Sequence, residues 1–308
     1  MKLVFFGTPE FAVPPLNALF KYRSEVLAVV TQPDRKSGRG KRIISSPVKN
    51  EALRAGLTVL QPQRVKDRNF IDELRFLMPE LIVVVAYGQI LPPGIIHMPE
   101  FGCINVHASI LPVYRGAAPI NWAIINGEKK TGITTMLMDE GMDTGPVLMQ
   151  EETEISPHDT AGSLSERLSK IGADVLIQTL DGIRLGRVKP VPQGEGASYA
   201  PLLRKTDGLI SWSKSASDLC NFIRGVNPWP GAYTFLDSER MAIIKADIRE
   251  GDAEKGVIVK VARDELFVGT EEGLLSIIEI QPSGKKCMDI RAFLQGRDIK
   301  EGMKFGEK

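Results

Sequence analysis

Residues Leu81-Ile82-Val83-Val84-Val85-Ala86 form an unbroken apolar run. A strand wet on one face alternates apolar and polar side chains. A run apolar on both alternate faces must be covered on both, as in a central parallel strand flanked by helices. The neighbouring segments fit that frame. Leu3 to Gly7, Val26 to Thr31, Thr58 to Leu60 and Gly102 to His107 read as further strands. Pro14 to Tyr22, Lys49 to Gly56 and Phe70 to Met78 read as helices, the last with Phe70, Leu74, Leu77 and Met78 on one face. The alternation predicts an α/β fold with a Rossmann-like parallel sheet. The first turn, Gly7-Thr8-Pro9-Glu10-Phe11, lacks the glycine spacing of a dinucleotide fingerprint, so no nicotinamide site is expected.

Further on, Thr131 to Met138 and Val147 to Glu152 read as a strand pair, and Thr160 to Leu180 as a long amphipathic helix. The stretch Arg187 to Gly196 is rich in Pro and Gly and reads as a linker. Beyond it come one helix, Ser215 to Arg224, and five short strands: Ala232 to Leu236, Met241 to Ile248, Gly256 to Ala262, Glu265 to Thr270 and Gly273 to Glu279. Their spacing predicts a small OB-like β-barrel. The expected division is a first domain over 1–186, a linker over 187–206 and a C-terminal barrel over 207–308.

With 308 residues, 43% of them hydrophobic, either half can bury a core. The net charge of +1 favours no polyanionic partner, so a nucleic-acid surface has to be a local patch. Cys103, Cys220 and Cys287 match neither zinc nor disulfide spacing, which fits a reduced, cytoplasmic setting. The first residues are too short and too soon broken for a signal peptide, and no apolar run reaches the roughly 20 residues of a membrane span. The chain reads as soluble, intracellular and without a membrane partner.

Asn105 and His107 fall at the end of a strand in Asn105-Val106-His107-Ala108-Ser109-Ile110-Leu111-Pro112. Being two residues apart, their side chains leave the same face. Asp143 lies in Asp139-Glu140-Gly141-Met142-Asp143-Thr144-Gly145, whose glycines permit a tight turn back over His107. An amide can donate to a developing oxyanion, an imidazole can carry a proton, and a carboxylate can orient that imidazole or accept from an amine. Any one of them at a strand end is more often structural; together they point to attack of an amine on an acyl carbon, with no Ser or Cys nucleophile. His97, His107 and His158 lack ligand spacing, and no metal is expected. Between two of the strands, Arg35, Lys36, Arg39, Lys41, Arg42 and Lys49 form a basic run without an acid among them, at the same sheet edge. Such a run is usually a solvated loop; here its place makes it a candidate grip for a nucleic acid.

These motifs, in this order, resemble the methionyl-tRNA formyltransferase family. The resemblance rests on Asn105 and His107, Ser109-Ile110-Leu111-Pro112, Arg115-Gly116-Ala117-Ala118-Pro119-Ile120 and Met138 to Gly145. It extends over Phe6 to Ala12, Gln32-Pro33-Asp34-Arg35, Gly38 to Lys41, Ser46 to Lys49, Ile210-Ser211-Trp212, Asn227-Pro228-Trp229-Pro230 and Gln281 to Lys286, nearly the whole chain. Val113 is a departure from the family's basic residue at that place, while Tyr114 keeps the aromatic that follows it. The resemblance implies formyl transfer from 10-formyltetrahydrofolate to initiator methionyl-tRNA, by a monomer. It implies Asn105, His107 and Asp143 as the catalytic set, Ser109, Ile110, Leu111 and Pro112 along the folate, and Arg42 as the main RNA contact of the basic loop. Three other readings stand beside it: a small-amine acceptor, an RNA- or folate-binding module without catalysis, and a nicotinamide oxidoreductase.

In the second half, Lys205, Lys214, Arg224, Lys245, Lys285 and Lys286 are candidate phosphate contacts. Trp212 and Trp229 are expected in the core or against the linker.

Overall fold

The computed structural model describes residues 1–22, 24–37 and 42–306. The chain forms two compact units. One comprises Met1–Pro119, Thr131–Glu154 and Ser165–Ala200, the other Ile120–Lys130, Ile155–Leu164 and Pro201–Lys308.

The first half runs β1 (Lys2–Gly7), α1 (Val13–Lys21), β2 (Glu25–Val30), β3 (Arg35–Ser37), β4 (Arg42–Ile44), α2 (Pro47–Arg54), β5 (Val59–Leu60), α3 (Arg68–Phe76), β6 (Leu81–Val85), α4 (Pro93–Ile96) and β7 (Cys103–His107). It continues through α5 (Pro119–Ile125), β8 (Lys130–Leu137), β9 (Val147–Glu154) and α6 (Ala161–Arg184). The main sheet has the order β5-β2-β1-β6-β7-β8-β9. Its first five strands are parallel, as the apolar pattern predicts. Leu81 to Val85 is buried on both faces: Ile82 and Val84 join Val4, Phe6, Phe70 and Leu74 in one cluster, and Leu81, Val83 and Val85 are buried as well.

Three local features differ from the sequence reading. β8 is antiparallel to β7, with Thr134 opposite His107 and Leu137 opposite Ile104. The chain re-enters the sheet at the carboxyl end of β7 instead of crossing back to its start, which a parallel partner requires. Of the basic run, Arg35 and Lys36 lie on β3 and Arg42 on β4, which pair antiparallel, and Lys49 lies on α2, so these described members are not in a loop. Met78 leaves the helical face assigned to it: α3 ends at Phe76, and Met78 has φ +48° and is 74% exposed.

The second unit contains α7 (Ala216–Gly225), capped by Ser215 Oγ accepting from Asp218 N. It then forms β10 (Tyr233–Leu236), β11 (Glu239–Arg249), β12 (Ile258–Val261), β13 (Leu266–Gly269), β14 (Leu274–Pro282), β15 (Met288–Asp289) and α8 (Ile290–Gln295). The expected barrel is realised as a curled antiparallel sheet, β10-β11-β14-β13-β12, with β15 on β14. Irregular register beside Lys245 bends the long β11. The two edges find partners in the end of the chain: Phe235 of β10 bridges to Gly306, and Val257, the residue before β12, to Lys304. Bridges of this kind satisfy edge groups that would otherwise be open to pairing with other chains.

Trp212 is buried and stacks on Phe305 at 5.8 Å, its indole N–H donating to Thr234 Oγ1 at 3.1 Å. Trp229 is 48% exposed, against the expectation of burial. The Arg224 guanidinium binds Asn221 Oδ1 and the carbonyls of Ser156 and Asp159, so it braces loops and is not presented to a phosphate. Lys205, Lys214, Lys245, Lys285 and Lys286 are exposed. Among the described residues no helix is long and apolar enough to cross a membrane.

Truncation of Ile82 to Ala removes buried methyl and methylene groups where the sheet cannot collapse. It is expected to cost about 2–5 kcal/mol of unfolding free energy, read from the denaturant midpoint at unchanged m-value.

Candidate active site

β7 carries Asn105 and His107, and the β8–β9 connection carries Asp143. That connection begins level with the start of β7, where Met138 N donates to Cys103 O at 2.8 Å, and folds back along the strand. Within it, Asp139 Oδ1 accepts from Gly141 N at 3.1 Å and from Thr144 Oγ1 at 2.6 Å, closing a tight turn. Gly145 lies so near the Leu137 carbonyl that a β-carbon there would collide with backbone. The three side chains of the candidate set meet. Asn105 Nδ2 donates to Asp143 Oδ1 at 3.3 Å, and His107 Nδ1 lies 3.7 Å from Asp143 Oδ2. The latter is within ion-pair reach but longer than a hydrogen bond.

The geometry assigns protons. His107 Nε2 lies 2.9 Å from the Tyr114 carbonyl, which can only accept, so Nε2 carries the hydrogen. Nδ1 is the ring nitrogen on the side of Asp143. The Asp143 carboxylate likewise requires the amino side of the Asn105 amide to face it. A carboxamide has two N–H donors, so one can hold Asp143 while the other meets an oxyanion. Asp143 Oδ2 also accepts from Gly116 N at 2.8 Å. Asp143 itself has φ +52°, a left-handed backbone that residues with a β-carbon seldom adopt and that costs of order 1–3 kcal/mol.

The segment 109–112 is braced from within. Ser109 is fully buried; its hydroxyl donates to Val113 O at 2.6 Å, and its carbonyl accepts from Thr134 Oγ1 at 2.7 Å. Leu111 N donates to Thr134 Oγ1, and Leu111 O accepts from Gln150 Nε2 at 2.8 Å. The Leu111–Pro112 peptide is cis. What this segment offers a ligand is the half-buried Ile110 and Pro112 and the remaining lone pairs of its carbonyls.

Among the basic residues, Arg35 is exposed and Nη2 donates to Gln32 Oε1 at 3.3 Å. Lys36 lies on β3 and Arg42 on β4; Arg39 and Lys41 fall outside the described residues. Lys49 is engaged within the fold: Nζ donates to Asp34 Oδ2 and to Gln61 Oε1, both at 2.6 Å. Gln61 Nε2 donates in turn to Asp34 Oδ1 and Gln32 O. The bond from Lys49, and then that from Gln61, holds the Asp34 carboxyl below its usual range.

Sequence reasoning passed over the residues that hold the set in place. Gly116 lies in a motif quoted for other reasons, and Gln193 sits in the stretch read as linker. Gln193 Nε2 donates to the carbonyls of Asp143 and Gly145, each at 2.8 Å. Neither has a periodic or compositional signal; only Arg115-Gly116, inside a recognisable motif, could have drawn attention. Over 191–200 the supposed linker is bonded to the first unit, through Val191 to Val147 and through Ser198 and Ala200 to Arg115. Two nearby groups are unsuited to nucleophilic work. Burial pushes the Cys103 thiol up to about 12, and it pushes the Tyr87 hydroxyl up to about 12 as well. Among the described residues no cluster of three or more His, Cys, Asp or Glu side chains could hold a metal ion.

Residues 1–180 match the formyl transferase family, and residues 202–298 match the formyl transferase C-terminal domain. The chain is 54% identical over 301 residues to a methionyl-tRNA formyltransferase of Thermodesulfovibrio yellowstonii, covering 98% of this chain and 97% of that one. It is 52% identical to the protein of the same name from Caldanaerobacter subterraneus, over 98% and 99% of the two chains. Solved structures with a similar fold include WlaRD, a sugar 3N-formyl transferase, with a TM-score of 0.68 at 20% identity over 93% of this chain and 99% of that one. Methionyl-tRNA formyltransferase from Clostridium thermocellum has a TM-score of 0.57 at 17% identity, over 81% and 94%.

The Tyr87 hydroxyl is buried with no hydrogen-bond partner among the described residues. Removing an unpaired buried hydroxyl removes its desolvation cost. Tyr87→Phe is therefore expected to leave the melting temperature unchanged or to raise it; a clear drop would mean that the hydroxyl is satisfied in the folded protein.

Proposed function

Because the chain belongs to the methionyl-tRNA formyltransferase family, we propose that Asn105, His107 and Asp143 form its reaction centre. The protein is a formyl-transferring enzyme. It moves the formyl group of 10-formyltetrahydrofolate to the α-amine of methionyl initiator tRNA, giving the formylated tRNA used to start translation. The observation that carries the site assignment is the meeting of the Asn105 amide and His107 Nδ1 at the carboxylate of Asp143.

The neutral amine attacks the formyl carbon. A C–N bond forms, the carbonyl oxygen takes up negative charge, and the carbon becomes tetrahedral. The second N–H of Asn105 donates to that oxygen, a contact of a kind worth about 3 kcal/mol in the transition state. The attacking nitrogen must lose a proton, and the leaving folate nitrogen must gain one with the electron pair of the breaking C–N bond. His107 Nδ1 and the Asp143 carboxylate are the groups that pass it, and such help contributes roughly 10²- to 10⁴-fold. Ser109, Ile110, Leu111 and Pro112 border the folate. Residues 1–186 carry the transfer chemistry, 187–206 join them to 207–308, and the C-terminal part supports the tRNA. The enzyme acts as a monomer in the cytoplasm, and the cysteine pattern supports that compartment.

The basic hairpin grips the tRNA through Arg35, Lys36, Arg39, Lys41 and Arg42. Lys49 serves the same surface by tying the hairpin's base, through Asp34, to Gln61 beside β5. A tie and a direct phosphate contact predict opposite signs. If Lys49 is a tie, Lys49→Ala and Asp34→Ala both raise KM for the tRNA several-fold and leave KM for the folate alone. If Lys49 binds phosphate itself, Asp34→Ala frees a cation and improves tRNA use, which would reject the tie.

Formyl transfer measured with charged initiator tRNA, elongator methionyl-tRNA and a small amine in parallel is expected to proceed only with the first. Asn105→Ala is expected to lower kcat by about 10²- to 10³-fold, on the scale of a lost oxyanion donor, and Asp143→Ala by roughly 10²- to 10⁴-fold, on the scale of lost acid–base help, each with tRNA binding unchanged. Turnover close to wild type in either variant would remove that residue from the centre.

A further inference from the structure

The Gln193 carboxamide is fully engaged. Oε1 accepts from Arg115 Nε at 3.1 Å and Nη2 at 2.6 Å, and Nε2 donates to the carbonyls of Asp143 and Gly145. Its two N–H groups and both lone pairs of its oxygen are thereby used. One of the carbonyls it holds belongs to Asp143, whose left-handed backbone persists only where its surroundings over-determine it.

Arg115 completes a closed circuit. Its guanidinium binds Gln193, and the next residue, Gly116, donates its N–H to Asp143 Oδ2. Arg115 is itself fixed along the chain by N–H donation to Ser198 O at 2.9 Å and by acceptance from Ala200 N at 2.7 Å. A β-carbon on Gly116, which has φ +113°, would meet Ala200 O at 2.9 Å, so the two segments approach as closely as only glycine permits. The backbone of Asp143 is therefore held by Gln193, its carboxylate by Gly116, and the two holders by each other.

We infer that Gln193 is a positioning residue for formyl transfer, acting through Asp143 with Arg115 as its brace. The inference rests on the reading of Asp143 as part of the reaction centre. A misplacement of 1 Å at a reacting group can cost on the order of 100-fold. Gln193→Ala frees the Asp143 carbonyl while leaving its carboxylate contacts available, so a smaller loss, about 10-fold in kcat, is expected, with KM for tRNA and folate unchanged. Gln193→Glu keeps the acceptor for Arg115 and loses both donors, and should fall as far as Gln193→Ala.

The decisive arm is the Asp143→Asn background, followed by single-turnover kinetics at excess enzyme. A residue that acts through Asp143 has nothing left to position there, so adding Gln193→Ala should cost no further rate. A strap that merely supports the fold would cost the same factor in both backgrounds. Wild-type kcat in Gln193→Ala or Gln193→Glu, or a further loss on top of Asp143→Asn, overturns the inference and leaves the reaction centre standing. Wild-type turnover in Asp143→Asn alone overturns both. If Gln193→Ala fails to fold, Arg115→Lys, which keeps the charge but loses the fork geometry, is expected to lower kcat at unchanged KM; unaltered kcat there counts against the circuit.

Discussion

The backbone of Asp143 sits in a conformation that a residue with a β-carbon avoids, and the surrounding structure is arranged to keep it there. The turn closed by Asp139 and the unsubstituted Gly145 deliver the chain to that point. Gly116 and Asn105 then hold the carboxylate, and Gln193 holds the carbonyl.

The sheet supplies the rigid part of this arrangement. β7 is covered and paired on both sides, parallel to β6 and antiparallel to β8, so Asn105 and His107 cannot drift relative to each other. His107 is further fixed by the Tyr114 carbonyl, which leaves Nδ1 as the nitrogen facing Asp143. The chemistry this permits is direct transfer between two nitrogen atoms. The thiol on the same strand, Cys103, is held in its protonated form by burial, and Ser109 spends its hydroxyl on a backbone carbonyl.

Much of this was legible in the residues. The apolar run over Leu81–Val85 read as a covered central strand, and the alternation around it as a parallel sheet with helices. Asn105 and His107 share a face because a strand repeats every two residues, and the glycines around Asp143 announced a tight return. Less legible were β8, whose apolar pattern is the same in either direction, and the curled sheet of the second unit. Its edges are closed by residues 304–306, far along the chain. Trp229 is exposed, and composition carries no information on that.

The sequence by itself determined the fold class, the identity of the three polar groups and the presence of a basic segment. These depend on local periodicity and residue chemistry, which a linear string records. Only the tertiary structure decided which atoms face one another. The linker-like stretch bearing Gln193 is bonded beside Asp143, 50 residues away, and Lys49 is occupied by Asp34 and Gln61. The pairing of one group with another depends on distances across the fold. Hydrogen bonds and ion pairs act over a few ångströms, whatever the separation along the chain.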